Sequence, residues 1–245
     1  MNLFAIGSCR SCYFLKNGEY PNDFCHTTKE ILQILEININ KCFDELRLMN
    51  RTFSSYNRYI NEITRIRDKI KNSNIIILEI SSIKTVYNSE NNLYFNIDLF
   101  NKVLFKVDVS KLKNNQKNLA KLYNNSEKII KNTTIKKQNK NEIINDLNKI
   151  REILKEKKII LVPHVNAKVI NNTTNKLFNI PERVIICDTL KEFSELYNNI
   201  YYFNPMDYLK DDYKSIFTEN SNGHYSDRSF EILKTKLENL INKIT

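Results

Sequence analysis

Ser8 is the first residue of this chain whose type and position could do chemistry. It follows the apolar run of "LFAIGSCR", where a β-strand ends and a helix is expected to begin. Ligands of an open parallel sheet bind beyond the carboxyl ends of its strands, so a serine in that turn is placed to attack an acyl carbon. Gly7 lets the backbone turn tightly, and the N–H groups after Ser8 carry the partial positive charge of a helix N-terminus, which suits an oxyanion. The competing role is plain N-capping, the commoner use of such a serine. A serine nucleophile also needs a base, and the chain has three histidines, His26, His164 and His224. His224 stands in "ENSNGHYSDRSFEIL", a polar loop between the last expected strand and the C-terminal helix. His26 ends "DFCH", three residues after Asp23. His164 and Asn166, in "ILVPHVNAK", fall at the carboxyl end of the expected strand 159–162, on the same edge of the sheet as Ser8. For both of these histidines a satisfied structural role is the alternative.

Cys9 beside Ser8 invites a thiol mechanism, and Cys9 with Cys12 forms a C-x-x-C. No second pair follows at zinc-ribbon spacing, so neither a metal nor a cofactor is expected. The five cysteines are odd in number and scattered, with no charged n-region and apolar h-region ahead of them. That pattern predicts a reducing, cytoplasmic setting. No apolar run reaches the ~18 residues of a membrane span, so no membrane is expected.

The elements that must position these side chains follow from apolar periodicity. Leu3–Ile6, 75–80, 159–162 and 200–203 read as short buried strands, and a further strand between 37 and 50 is open. Helices fill the gaps. Thr27 and Glu30 make a capping box ahead of "KEILQILE". Helical spacing recurs in "YNRYINEITRIRDKI" and "NEIINDLNKIREILKEK"; "PERVIICDTLKEFSELY" opens on proline, and Ser226 is placed to cap "DRSFEILKTKLENLINKI". Strands alternating with helices predict an α/β fold, a three-layer α/β/α sandwich on a mainly parallel sheet. The chain reads as a single domain, 1–245. Within it, 84–140 carries a hairpin around "SENN" and then a Lys/Asn-rich insertion.

That insertion supplies +8 of the net charge of +10. Residues 110–140 hold nine lysines and one acid, Glu127, and no arginine. Without arginine's bidentate fork the segment is poorly suited to reading nucleic acid. The abundance of Asn, Lys and Ile throughout fits a compositional bias better than a nucleic-acid partner.

A Gly-Ser turn after the first strand and a His-Tyr-Ser just ahead of the last helix resemble the SGNH (GDSL-like) hydrolase superfamily, in the divergent form with Gly-Ser-Cys in place of Gly-Asp-Ser. The resemblance implies a flavodoxin-like sheet, with Ser8 as nucleophile, in preference to Cys9, and His224 as base. The family's aspartate three residues before the histidine is replaced by Ser221, flanked by Asn220 and Asn222, with Glu219 the nearest upstream carboxylate. Any of these, or a backbone carbonyl, would have to orient the imidazole. The family's Gly-x-Asn corresponds to "ILEISS", which offers Glu79, Ser81 and Ser82 instead, and Ser81 is the candidate oxyanion donor. His26 lies where the second oxyanion element normally sits.

The expected function is serine-dependent acyl transfer or ester hydrolysis by a Ser-His dyad or atypical triad. The substrate class implied by the resemblance is an O-acetylated carbohydrate or small molecule. Two alternatives stand: a catalytically degenerate relative that binds a glycan or a partner protein, and a binder of nucleic acid or acidic surfaces through 110–140. Oligomeric state is not legible.

Overall fold

The computed structural model describes residues 2–8, 10, 25–36, 56–90, 92–96, 131–170, 177–209, 213–217 and 225–245. In chain order the elements are β1 (Leu3–Ile6), α1 (Thr28–Glu36), α2 (Tyr56–Asn72), β2 (Ile75–Ile80), β3 (Lys84–Asn88), β4 (Leu93–Phe95), β5 (Thr133–Lys137), α3 (Lys140–Leu154), β6 (Lys158–Pro163), β7 (Val169–Ile170), β8 (Leu177–Phe178), α4 (Pro181–Ser194), β9 (Ile200–Tyr202), α5 (Tyr213–Ile216) and α6 (Asp227–Ile244). They gather into two compact units. One comprises Met1–Tyr20, Ser73–Ser82 and Glu156–Thr245; the other comprises Pro21–Asn72 and Ile83–Lys155.

The first unit is built on a parallel sheet of order β1-β2-β6-β9. Its central strand, "IIILEI", is buried along its whole length, as a strand covered on both faces must be, and β-branched residues suit that environment. Ala5, Ile75, Ile77, Ile160 and Val162 meet Leu233, Leu237 and Ile241 of α6 in one core cluster. α4 packs against β6 and β9, and its buried residues Ile186, Leu190 and Phe193 take no part in that cluster. It therefore covers the other face, completing a three-layer α/β/α arrangement. Ser226 caps α6 by accepting from the Ser229 N–H, and α4 starts on Pro181 without a side-chain cap. The open strand between 37 and 50 lies outside the described residues.

The second unit holds an antiparallel sheet, β4-β3-β5. β3 and β4 form the hairpin expected around "SENN", with Asn92 at positive φ in its turn. β5 was not expected from sequence: it falls within the Lys/Asn-rich segment, of which 110–130 lie outside the described residues, and its side chains are mostly exposed. α1 packs against α3 and β4. Gln33 fixes it to β4 by donating to the Tyr94 carbonyl at 2.9 Å and accepting the Tyr94 N–H at 2.7 Å. Asp146, buried in α3, accepts from Thr28 Oγ1 (2.8 Å), Gln138 Nε2 (2.9 Å) and Lys29 Nζ (2.7 Å). Asn139 and Glu142 make a reciprocal capping box at the start of α3. No helix among the described residues is long and apolar enough to cross a membrane.

Candidate functional site

The parallel register of the first unit sets three strand ends side by side. β1 runs into Gly7 and Ser8, β2 into Ser81 and Ser82, and β6 into His164, Val165 and Asn166, with Glu79 paired to Val162 and the His164 N–H donating to the Ile80 carbonyl at 3.0 Å. The turn residues that follow three adjacent strands thus share one edge, the edge where open α/β sheets bind ligands.

Ser8 sits at the centre of a buried polar cluster. Its hydroxyl donates to Glu79 Oε2 at 2.7 Å, and its backbone N–H donates to the same oxygen at 3.1 Å. The other carboxylate oxygen, Oε1, receives Arg10 Nε–H at 3.2 Å. The Arg10 backbone N–H in turn donates to Ser8 Oγ at 3.3 Å. That last bond is an N-cap bond, reaching the second residue after the cap. Ser8 therefore caps the turn and places its own proton on a carboxylate at once. Ser8 and Glu79 are each 2% exposed, so a charge buried in the middle of an apolar strand is offset by an ion pair and two hydrogen bonds from one serine. The Ser8 N–H, a donor an oxyanion could otherwise use, is taken up by Glu79.

The neighbouring strand end carries His164. Its Nδ1 lies 2.9 Å from the Val165 carbonyl, which can only accept, so Nδ1 bears the hydrogen of that bond. Arg183 of α4 donates to the same Val165 carbonyl at 3.0 Å. Cys187 donates to the His164 carbonyl at 3.9 Å; burial pushes its thiol up to about 11, with a hydrogen bond shared with Tyr202 pulling the other way. Burial also raises the Tyr202 phenol, and the neighbouring Cys187 adds to it. Ser81 Oγ and Asn166 Oδ1 are buried atoms without a hydrogen-bond partner among the described residues.

His26 belongs to the second unit. Its backbone N–H donates to Glu30 Oε2 at 2.5 Å, its Nδ1 lies 3.4 Å from Asn96 Nδ2, and Thr27 Oγ1 accepts the Glu30 N–H at 3.2 Å. The capping box thus forms with its return bond shifted one residue upstream.

His224, Cys9, Glu219, Asn220, Ser221 and Asn222 lie outside the described residues. The residues on either side of 218–224 are described. Phe217 and Tyr225 form an antiparallel bridge with stacked rings, centroids 6.0 Å apart, and both pack with Val165 and Ala167, next to His164 and Asn166.

Sequence reading named Ser8 and Glu79 but did not join them, and it missed Arg10. The available signal was a lone acid in "IIILEI", since a charge within a buried strand demands a partner.

The TviD N-terminal domain family matches residues 1–231. Neither curated proteins nor solved structures give a match. Since the family's extent runs from ahead of β1 into α6, over nearly the whole chain, this protein belongs to the TviD N-terminal domain family.

Proposed function

We propose that the protein is a serine-dependent acyltransferase or esterase acting on O-acetyl groups of a carbohydrate. Family membership points to carbohydrate O-acetylation of the kind associated with the Vi capsular polysaccharide. The observation that carries the mechanism is Ser8 at the carboxyl edge of a parallel sheet with its hydroxyl 2.7 Å from a carboxylate. A serine held in this way is oriented and polarised for attack.

In this reading Ser8 Oγ attacks the acyl carbon and forms an acyl-serine, and water or a sugar hydroxyl then takes the acyl group. His224 supplies the imidazole base, as the SGNH resemblance suggests. The anchoring of Tyr225 on Val165 and Ala167 supports this, because it ties the residue after His224 to the end of β6. Ser81, whose hydroxyl lacks a partner among the described residues, is the candidate oxyanion donor, and Gly7, Cys9, Asn166 and His164 are the further candidate residues. Glu219, Asn220, Ser221 or Asn222 would orient His224.

Hydrolysis of p-nitrophenyl acetate by wild type, Ser8→Ala and His224→Ala tests the reading. Both variants should lose about 100-fold or more of the wild-type rate. A second reading, a non-catalytic glycan or protein binder, is favoured by the burial of Ser8 and its use as a cap. Equal rates in all three proteins would end the enzyme reading.

A further inference from the structure

We infer that Glu79 is the group that takes the proton from Ser8 when the acyl-serine forms, and that Arg10 clamps it for that task. The inference rests on Ser8 being the nucleophile and goes beyond that in assigning the first proton transfer.

The geometry meets the requirement for a general base directly: donor and acceptor are 2.7 Å apart, within the range for transfer. The two carboxylate oxygens are not equivalent. Oε1 is committed to Arg10, and Oε2 receives both the hydroxyl and the N–H of Ser8. Those two bonds to one oxygen fix the Ser8 side chain relative to its own backbone, so the proton to be lost already points at its acceptor. Capping the turn does not require the carboxylate, since Ser8 Oγ alone accepts the Arg10 N–H. An ionised side chain amid "IIILEI" is costly to bury, and replacing such a pair by apolar residues is often neutral or stabilising. Stability of the strand therefore gives no reason for a glutamate here.

Electrostatics points the same way. Were the proton to leave toward another base, negative charge would develop on Oγ beside an anionic oxygen at hydrogen-bond distance. Transfer to Oε2 avoids two adjacent negative charges. The step balances as follows. The Ser8 O–H bond breaks and an Oε2–H bond forms, while Oγ bonds to the acyl carbon and the carbonyl electron pair moves to its oxygen. On collapse the bond to the leaving oxygen breaks, and that oxygen takes the proton from Glu79. The imidazole is then used in the second half-reaction, removing the proton of the attacking water or sugar hydroxyl.

The test is the rate at which diisopropyl fluorophosphate modifies Ser8, followed by peptide mass analysis across pH 5–9, a range spanning the imidazole titration near ~6.5. Wild type should be labelled at a rate with no inflection near ~6.5. Glu79→Gln should lose about 100-fold or more, since an amide offers one acceptor oxygen to three donors, and Glu79→Asp should recover part of that loss. Thermal melts of each variant establish folding, and the wild-type profile decides the matter even if Glu79→Gln does not fold. A wild-type rate that follows an imidazole titration, or a folded Glu79→Gln labelled as fast as wild type, overturns the assignment and leaves Ser8 as nucleophile. Folded wild type that takes no label at Ser8 overturns the nucleophile reading and this inference with it.

Discussion

Ser8 and Glu79 stand 71 positions apart in sequence and are joined at 2.7 Å, the hydroxyl of a turn residue after β1 donating to a side chain of β2. The parallel pairing of β1 with β2 makes this contact available, because it brings the turn after Ile6 beside the second half of β2. Arg10 closes the arrangement from the same turn. If the ion pair is what makes the buried carboxylate tolerable, its two halves must be energetically coupled. Arg10→Met should cost about 3 kcal/mol or more by leaving the Glu79 charge without its counter-ion. Adding Glu79→Met should return more than ~1 kcal/mol of that loss. Denaturant melts of the two single variants and the double variant measure the coupling, and additive losses would deny it.

In the second unit, Asp146 accepts from Thr28, Gln138 and Lys29 and so ties α1 to α3 and to the segment before it. Asp146→Ala should destabilise by about 2–4 kcal/mol, since it strands several donors in a buried site. Lys29→Ala should cost under ~1 kcal/mol, because its side chain keeps partial access to water. Burial lowers the Lys29 pKa, but the bond and charge of Asp146 outweigh it and leave it raised. A raised lysine stabilises fully below its ordinary 10.5 and loses that contribution as pH rises past it. Melts of wild type and Lys29→Ala should therefore differ by a constant amount below 10.5 and draw together as pH rises from there through the raised folded value.

Cys187 offers a chemical test of the packing between α4 and the end of β6. Burial pushes its thiol up to about 11, against 9.0 for a free one, so the native protein holds it protonated at pH 8.5. Alkylation of Cys187 should be about 100-fold slower in native than in denatured protein at that pH, a difference of two pK units. The raised acid also stabilises the fold below its unfolded value, and that contribution is lost as pH climbs from 9 toward 11. Equal alkylation in the two states, read by peptide mapping at Cys187, would contradict the packing described.

The strands of the parallel sheet were legible because a strand buried on both faces reads as a nearly continuous apolar run, and "LFAI", "IILV" and, but for Glu79, "IIILEI" do so; the two-residue strands β7 and β8 are too short to give such a run. The hairpin was legible from polar turn residues between two β-prone runs. β5 was not, since an exposed strand of Thr and Lys carries no apolar alternation. At the site, the turn and its serine could be read locally. The meaning of Glu79 could not, because its partners come from another strand's end and only the register of β1 against β2 brings them together. Arg10 went unread for the same reason: nothing local distinguishes it from any exposed arginine.

Acyl-serine formation is the most direct test of the account. Wild-type protein mixed with p-nitrophenyl acetate and acid-quenched within the first turnover should gain one acetyl group, mapped to the peptide that contains Ser8, and Ser8→Ala should gain none. An acetyl group found on Cys9 or elsewhere in wild type, or none at any time while p-nitrophenol is released, would contradict Ser8 as the residue that carries the acyl group.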